Sequence, residues 1–237
     1  MMEGHILRTI DYKESSMLLY VYTEKGIKSM IARGVKKLDS PLRHLAQPSN
    51  RIEMTLTSGN LPTLKEAMLI DRLPEIKDDF IKSTIMGLIN ELIYKTVTSD
   101  DNHPKLYGFL HKFTAALKTT DAPLELMLVF ELKMLYFLGY AIPLRQCHVC
   151  GTRETLMFDV HEGALVCKKH ANALHAQYDQ AIYLPMQYYY YVDISAFKKR
   201  SVTGETLKTI HKITEQLERM HLGFTPRART ILQPFIT

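Results

Sequence analysis

An α+β architecture is predicted for this 237-residue sequence: an N-terminal five-stranded barrel of the OB type, then an α-helical domain with a zinc-ribbon-like insertion. Three observations predict it. Five short segments rich in β-branched and aromatic residues crowd into the first 74 positions. After Pro74 the apolar spacing becomes helical. All three cysteines fall within one 21-residue window, in paired spacing. The expected domains are residues 1–74 and 75–237, with the metal segment at 146–170.

The β segments are "GHILRTI", "MLLYVYT", "IKSMIA", "RIEMTLT" and "PTLKEAMLI". Each is short and partly alternating, as a half-buried strand requires. Turn-forming residues separate them, at 11–16, at "EKG" (24–26) and at "SGN" (58–60). The longest gap, 34–50, lies between the third and fourth segments, which fits the OB topology.

Helices are expected over 79–98, 104–118, 123–139, 184–197 and 203–222. The second and third open with proline near the first turn, where its missing N–H costs nothing. "LELMLVFELKMLYFLGY" is apolar almost all round and reads as the central helix of a bundle, with Met127, Met134 and Phe137 in the core. In the last helix Leu207, Ile210, Ile213, Leu217 and Met220 form the apolar stripe. Asp78 and Asp79, and Asp100 and Asp101, stand beside helix ends and are explained by capping.

The metal signal is the most specific. Cys147 and Cys150 form a C-x2-C pair, and Cys167 and His170, after sixteen intervening residues, form a C-x2-H pair. Two such knuckles roughly 12–20 residues apart mark a four-ligand zinc ribbon. Gly151 lets the backbone curl round an ion, and the stretch between the knuckles reads as a hairpin turning at Glu162–Gly163. Four protein ligands leave no open position for water, so the expected role of one zinc per chain is to hold the fold. His148 and His161 are alternative fourth ligands, but only His170 completes the spacing. A zinc deaminase needs H-x-E and P-C-x-x-C, which this segment lacks.

With 46% hydrophobic and 23% charged residues, the composition is that of a soluble globular protein. No run approaches the roughly 18 apolar residues that span a bilayer, and the N-terminus lacks the pattern of a signal peptide. Three cysteines in a metal pattern suit a reducing cytoplasm. Residues 1–74 carry 11 Lys/Arg against 8 Asp/Glu, residues 195–237 carry 8 against 3, and the middle is mildly acidic. That polarity points to a polyanion partner. There is no phosphate-cradling G-x-x-x-x-G-K-[ST] loop, no G-x-G-x-x-G and no G-x-S-x-G elbow, so no enzymatic activity is expected.

The chain resembles the RecO family of bacterial recombination mediators over nearly its whole length. "EGHILRTIDYKESSMLLYVYTEKGIKSMIARGVKK" is similar to the family's opening, with "DY-x-E-S", "T-E-x-G" and "A-R-G-x-K-K" in order. "LGYAIPLRQCHVCG…EGALVCKKH" resembles its zinc segment, departing at His170, where the family usually has a fourth cysteine. "HLGFTPRARTIL" resembles its last helix and basic stretch. The resemblance implies an OB fold, a helical domain with zinc, and binding of single- and double-stranded DNA with annealing of complementary strands. It also implies cooperation with RecR, in some bacteria with RecF, and with the tail of the single-stranded-DNA-binding protein, to load RecA. A nucleoid-associated cytoplasmic location goes with that role.

Phosphate contacts are expected from Lys25, Lys28, Arg33, Lys36, Lys37 and Arg43, set against only Asp39, with Arg8 on the first strand and Arg51 opening the fourth. Lys198, Lys199, Arg200, Arg227 and Arg229 form a second candidate surface. Tyr12, Tyr20 and Tyr22 are candidates for stacking bases, although Tyr20 and Tyr22 suit a core equally well. Two rival readings are a zinc-ribbon RNA-binding or transcription factor and a metal-dependent enzyme acting on nucleic acid.

Overall fold

The computed structural model describes residues 1–99, 101 and 103–236. The chain forms two compact units, Met1–Lys118 and Thr119–Thr237. The expected boundary at 74/75 marks the end of the first sheet. The division between units comes later, because the two helices that follow the sheet belong with it.

The first unit opens with β1 (Met2–Tyr12), β2 (Ser16–Thr23), β3 (Gly26–Ala32), β4 (Arg51–Leu56) and β5 (Leu64–Asp71). All five expected strands form, in the order β3-β2-β1-β4-β5, with every ladder antiparallel. The sheet is OB-like but is not closed by a ladder. β3 approaches β5 at one parallel bridge, Ile31 to Thr63, where the Ile31 N–H donates to the Pro62 carbonyl at 2.9 Å. Ile6, Leu19, Val21, Met30, Ile52 and Met54 fill the interior. A Cβ on Gly4 would lie 2.4 Å from Cγ1 of Val21, so only glycine lets β1 run this close to β2.

The long segment 33–50 packs more closely than its polar composition suggests. Val35, Leu45 and Ala46 are buried. The Lys36 N–H donates to the Ser15 carbonyl, and Ser49 and Asn50 exchange backbone bonds with Ile6. The Asn50 side chain donates to the carbonyls of His44 and Leu45.

A short turn of helix, α1 (Pro74–Lys77), leads into α2 (Phe80–Thr96) and α3 (His103–Thr119). Asp79 caps α2 by accepting from the Lys82 N–H at 2.9 Å, as expected of it. Asp101 accepts from the Thr98 N–H, and Asp100 lies outside the described residues. α2 joins the sheet through a buried polar chain: His5 Nε2 lies 3.0 Å from Asn90 Oδ1, and Asn90 Nδ2 donates to the Ser49 hydroxyl at 2.9 Å.

The second unit is built round α4 (Pro123–Phe137), in which Leu126–Leu132, Met134 and Leu135 are all buried. Phe137 is only partly buried. The insertion carries β6 (Leu156–Asp159), β7 (Ala164–Cys167) and β8 (Gln177–Tyr178), in the order β7-β6-β8. α5 (Gln180–Tyr191), α6 (Gly204–Leu222) and α7 (Arg227–Leu232) follow.

Two expectations are corrected here. α5 starts at Gln180, capped by Asp179, and runs through Pro185 rather than beginning near it. The buried stripe of α6 is Ile210, His211, Ile213, Thr214, Leu217 and Glu218, whereas Met220 is exposed. Among the described residues no helix is long and apolar enough to cross a membrane.

Candidate metal centre and nucleic-acid interface

The two knuckles are positioned by backbone hydrogen bonds before any ion is considered. In the first, Gly151 adopts a φ of 73°, its N–H donates to the Cys147 carbonyl at 2.9 Å, and the Cys147 N–H donates to Thr152 at 2.8 Å. That φ is strained for any residue with a Cβ. The His148 N–H donates to the Leu165 carbonyl, which hangs the first knuckle on β7. Cys167 ends β7, and its carbonyl accepts from the N–H groups of His170 and Ala171, which closes the second knuckle. The hairpin joining the knuckles turns at 160–163, with Gly163 at a φ of 60°.

The four side chains converge. One ligand atom of each of Cys147, Cys150, Cys167 and His170 lies within 4.8 Å of the others. Cys150 Sγ and Cys167 Sγ are 3.8 Å apart, and His170 Nδ1 is 3.6 Å from Cys147 Sγ and 3.3 Å from Cys167 Sγ. Tetrahedral zinc with bonds of about 2.3 Å to sulfur and 2.0–2.1 Å to nitrogen would separate its ligands by roughly 3.8 and 3.5 Å. The donor set therefore fits one such ion with no open position. Burial raises the Cys147 thiol, but the N–H groups of Cys150, Cys167 and Val149 and the His170 ring outweigh it and bring the pKa down to about 6. A thiol poised towards the thiolate is what a metal ligand requires. Of the alternative ligands, His148 Nε2 lies 3.9 Å from Glu162 Oε2, and His161 stacks on His175 with ring centroids 4.2 Å apart.

The basic residues of the first unit fall into two groups. Lys25, Lys28, Arg33, Lys37 and Arg43 are exposed. Lys36 is also exposed, with its ammonium bonded to Asp11 at 2.8 Å. Arg8 lies across the ladder from Tyr20, its guanidinium 5.4 Å from the centre of the Tyr94 ring on α2. Tyr20 meets the same ring edge-on at 4.9 Å. Arg8, Tyr20 and Tyr94 thus form a basic and aromatic patch, and Tyr94 was not expected there. Tyr22 is core: it is fully buried against Tyr107. Arg51 is turned to Glu3 at 3.1 Å, so its charge is largely met inside the unit.

In the second unit Lys198, Lys199, Arg200 and Arg227 are exposed, whereas Arg229 is not. Expected on a DNA-facing surface, Arg229 is 1% exposed and donates to Glu131 and Glu218. A cation held in the core by two carboxylates cannot reach a phosphate. Nothing local in "PRART" signals this, since Glu131 stands 98 positions away in the chain.

Comparison with known proteins settles the family. A family model described as "Recombination protein O N terminal" matches residues 1–73, and one described as "Recombination protein O C terminal" matches 77–230. The chain belongs to the RecO family. It is 26% identical over 236 residues to a DNA repair protein RecO of Bacillus cytotoxicus, covering 98% of this chain and 95% of that one. Relatives of the same name in Bacillus cereus and Bacillus anthracis are 25% identical over the same shares. This RecO chain is accordingly a DNA repair protein of that family, with an OB-like sheet and a cysteine–histidine cluster able to hold a metal ion.

Proposed function

We propose that the chain is a non-enzymatic recombination mediator. It binds single- and double-stranded DNA, anneals complementary strands, and acts with RecR to load RecA onto DNA covered by the single-stranded-DNA-binding protein, whose tail it contacts. RecF takes part where the organism uses it. The observation that carries this reading is the end-to-end family match, joined to an OB-like sheet with Arg8 and Lys28 exposed on its strands and Arg33, Lys37 and Arg43 exposed on the segment that follows β3. OB folds commonly track a nucleic-acid backbone with such a basic surface and stack bases on aromatic rings. Arg227 and Lys198–Arg200 offer phosphates a second surface.

Annealing requires no covalent chemistry. Cations screen the repulsion between two phosphate backbones while base pairing drives the reaction. Cys147, Cys150, Cys167 and His170 hold one zinc ion, which crosslinks the two knuckles and serves the fold rather than a reaction.

The test is to mix two complementary labelled oligonucleotides of unrelated sequences with and without the protein, and to follow both duplex formation and strand length. Faster annealing of every pair, with strands intact, is the expected result. Binding restricted to RNA or to one sequence would favour a zinc-ribbon regulator, and shortened strands would favour a metal-dependent nuclease.

A further inference from the structure

We propose that His161, Glu162 and His175 form a second metal site, separate from the cysteine centre and suited to a first-row divalent transition ion. One ligand atom of each lies within 4.8 Å of the other two. The residues come from different places, two from the β6–β7 turn and one from the approach to β8, so chain proximity alone does not explain their meeting.

What makes this a built site is Asp159. Its side chain is 1% exposed, and one oxygen accepts from the backbone N–H groups of His161 and Glu162, at 3.0 and 3.1 Å. That fixes the turn presenting both ligands. The other oxygen lies 3.0 Å from His175 Nδ1. A carboxylate on Nδ1 sets the tautomer so that Nε2 carries the lone pair. That lone pair meets the exposed Asn172 side-chain amide at 3.0 Å and would pass from that amide to an ion. A solvated hairpin turn would need only the backbone half of this arrangement.

The donors also sit at telling distances. Glu162 Oε1 is 3.9 Å from His161 Nδ1, and Glu162 Oε2 is 3.9 Å from His148 Nε2. Neither is a hydrogen bond, so the carboxylate is not saturated by these neighbours. The His161 and His175 rings stack with planes 28° apart, so an ion with bonds of about 2.0–2.2 Å requires the exposed His161 ring to turn its lone pair towards the shared point. Two imidazoles and a carboxylate suit zinc, cobalt, nickel or copper rather than calcium or magnesium. Three protein ligands leave a position open to water, so this ion should exchange more readily than one in the closed cysteine centre.

The experiment is a titration of the full-length protein, with its cysteine centre already loaded with zinc, by cobalt(II) alone, read by equilibrium dialysis and visible absorption. The expected result is one further equivalent with d–d bands and no thiolate charge-transfer band. That band would report the cysteine centre, so the two sites are told apart. His161→Ala should weaken the further equivalent roughly tenfold or more, and Asp159→Asn, which removes a positioning residue, by about 10–100-fold. His161 is exposed, so its variant should keep the metal-free melting temperature and stand as the safe test should Asp159→Asn fold poorly. No uptake beyond the cysteine centre, or a further equivalent that survives His161→Ala combined with His175→Ala, would overturn the proposal.

Discussion

Arg229 donates to Glu218 Oε2 at 2.9 Å with neither side chain more than 2% exposed, and its guanidinium also binds Glu131. Burial raises both carboxyls, Glu218 to about 8, while the Arg229 cation opposes the rise. The triad is nearest to neutral when one carboxyl keeps its proton. This network, not an apolar stripe alone, joins α4, α6 and α7.

Removing the cation should be costly. Arg229→Ala leaves two buried carboxyl groups without their cation and is expected to destabilise the second unit by about 3–5 kcal/mol. Replacing all three members with apolar residues of similar size should restore most of that stability, because it also removes the desolvation penalty. Arg227→Ala, at an exposed position, should cost far less stability than Arg229→Ala and weaken DNA binding. Denaturant melts of the three variants check this.

Acid should destabilise each unit through a buried histidine. Burial pushes His5 down to about 4 and His211 to about 3. Both values lie below the unfolded value near 6.5, so the folded state excludes a proton that the unfolded chain takes up. Stability is therefore full above about pH 6.5 and falls as pH drops towards 4 and 3, by up to about 1.4 kcal/mol per pH unit for each proton. Neither ring nitrogen of His211 meets a hydrogen-bond partner among the described residues. His211→Leu should thus flatten the slope of the second unit without losing a bond. Melts between pH 4 and 7 read the difference.

Gly4→Ala tests the close approach of β1 to β2. With Val21 Cγ1 only 2.4 Å from the new carbon, β1 must shift, and a loss of about 1–3 kcal/mol is expected from the overpacked contact. An unchanged melting temperature would show that the strands separate easily here.

Much of the fold was legible in the sequence because its signals are local. Strand patterns, turn residues and the C-x2-C and C-x2-H spacings each act over a few positions, and the knuckles converge as that spacing predicts. Burial of charge was not legible. Glu125 looks like a solvated first-turn residue, yet it accepts from the Tyr189 hydroxyl and the Arg200 N–H, both at 2.9 Å, from far along the chain. Arg229 and Arg227 stand two positions apart in the same basic stretch, and tertiary packing alone separates their roles. α5 starts four residues before the expected position 184 because Asp179 supplies its cap, and Pro185 lies inside the helix. Tyr94 escaped notice because its relation to Arg8 and Tyr20 exists only once α2 lies on the sheet.

The basic loop should matter residue by residue. Lys36 is held by Asp11, so Lys36→Glu alone is expected to weaken single-strand binding less than Lys37→Glu. Arg33→Glu with Lys37→Glu should lose most annealing while keeping the melting temperature. Lys65→Glu with Lys112→Glu, also exposed, serves as the control and should lose little. Equal annealing by the two double variants would move the interface away from this loop.

The most direct test is the affinity for single strands of several unrelated sequences, measured across a range of salt concentrations. Each phosphate neutralised by Lys or Arg contributes a slope of about −0.7 in log affinity against log salt for single strands. The account predicts a steep linear fall that is nearly the same for every sequence, and shallower in the Arg33→Glu, Lys37→Glu variant. A flat salt response, or tight binding to one sequence only, would contradict it.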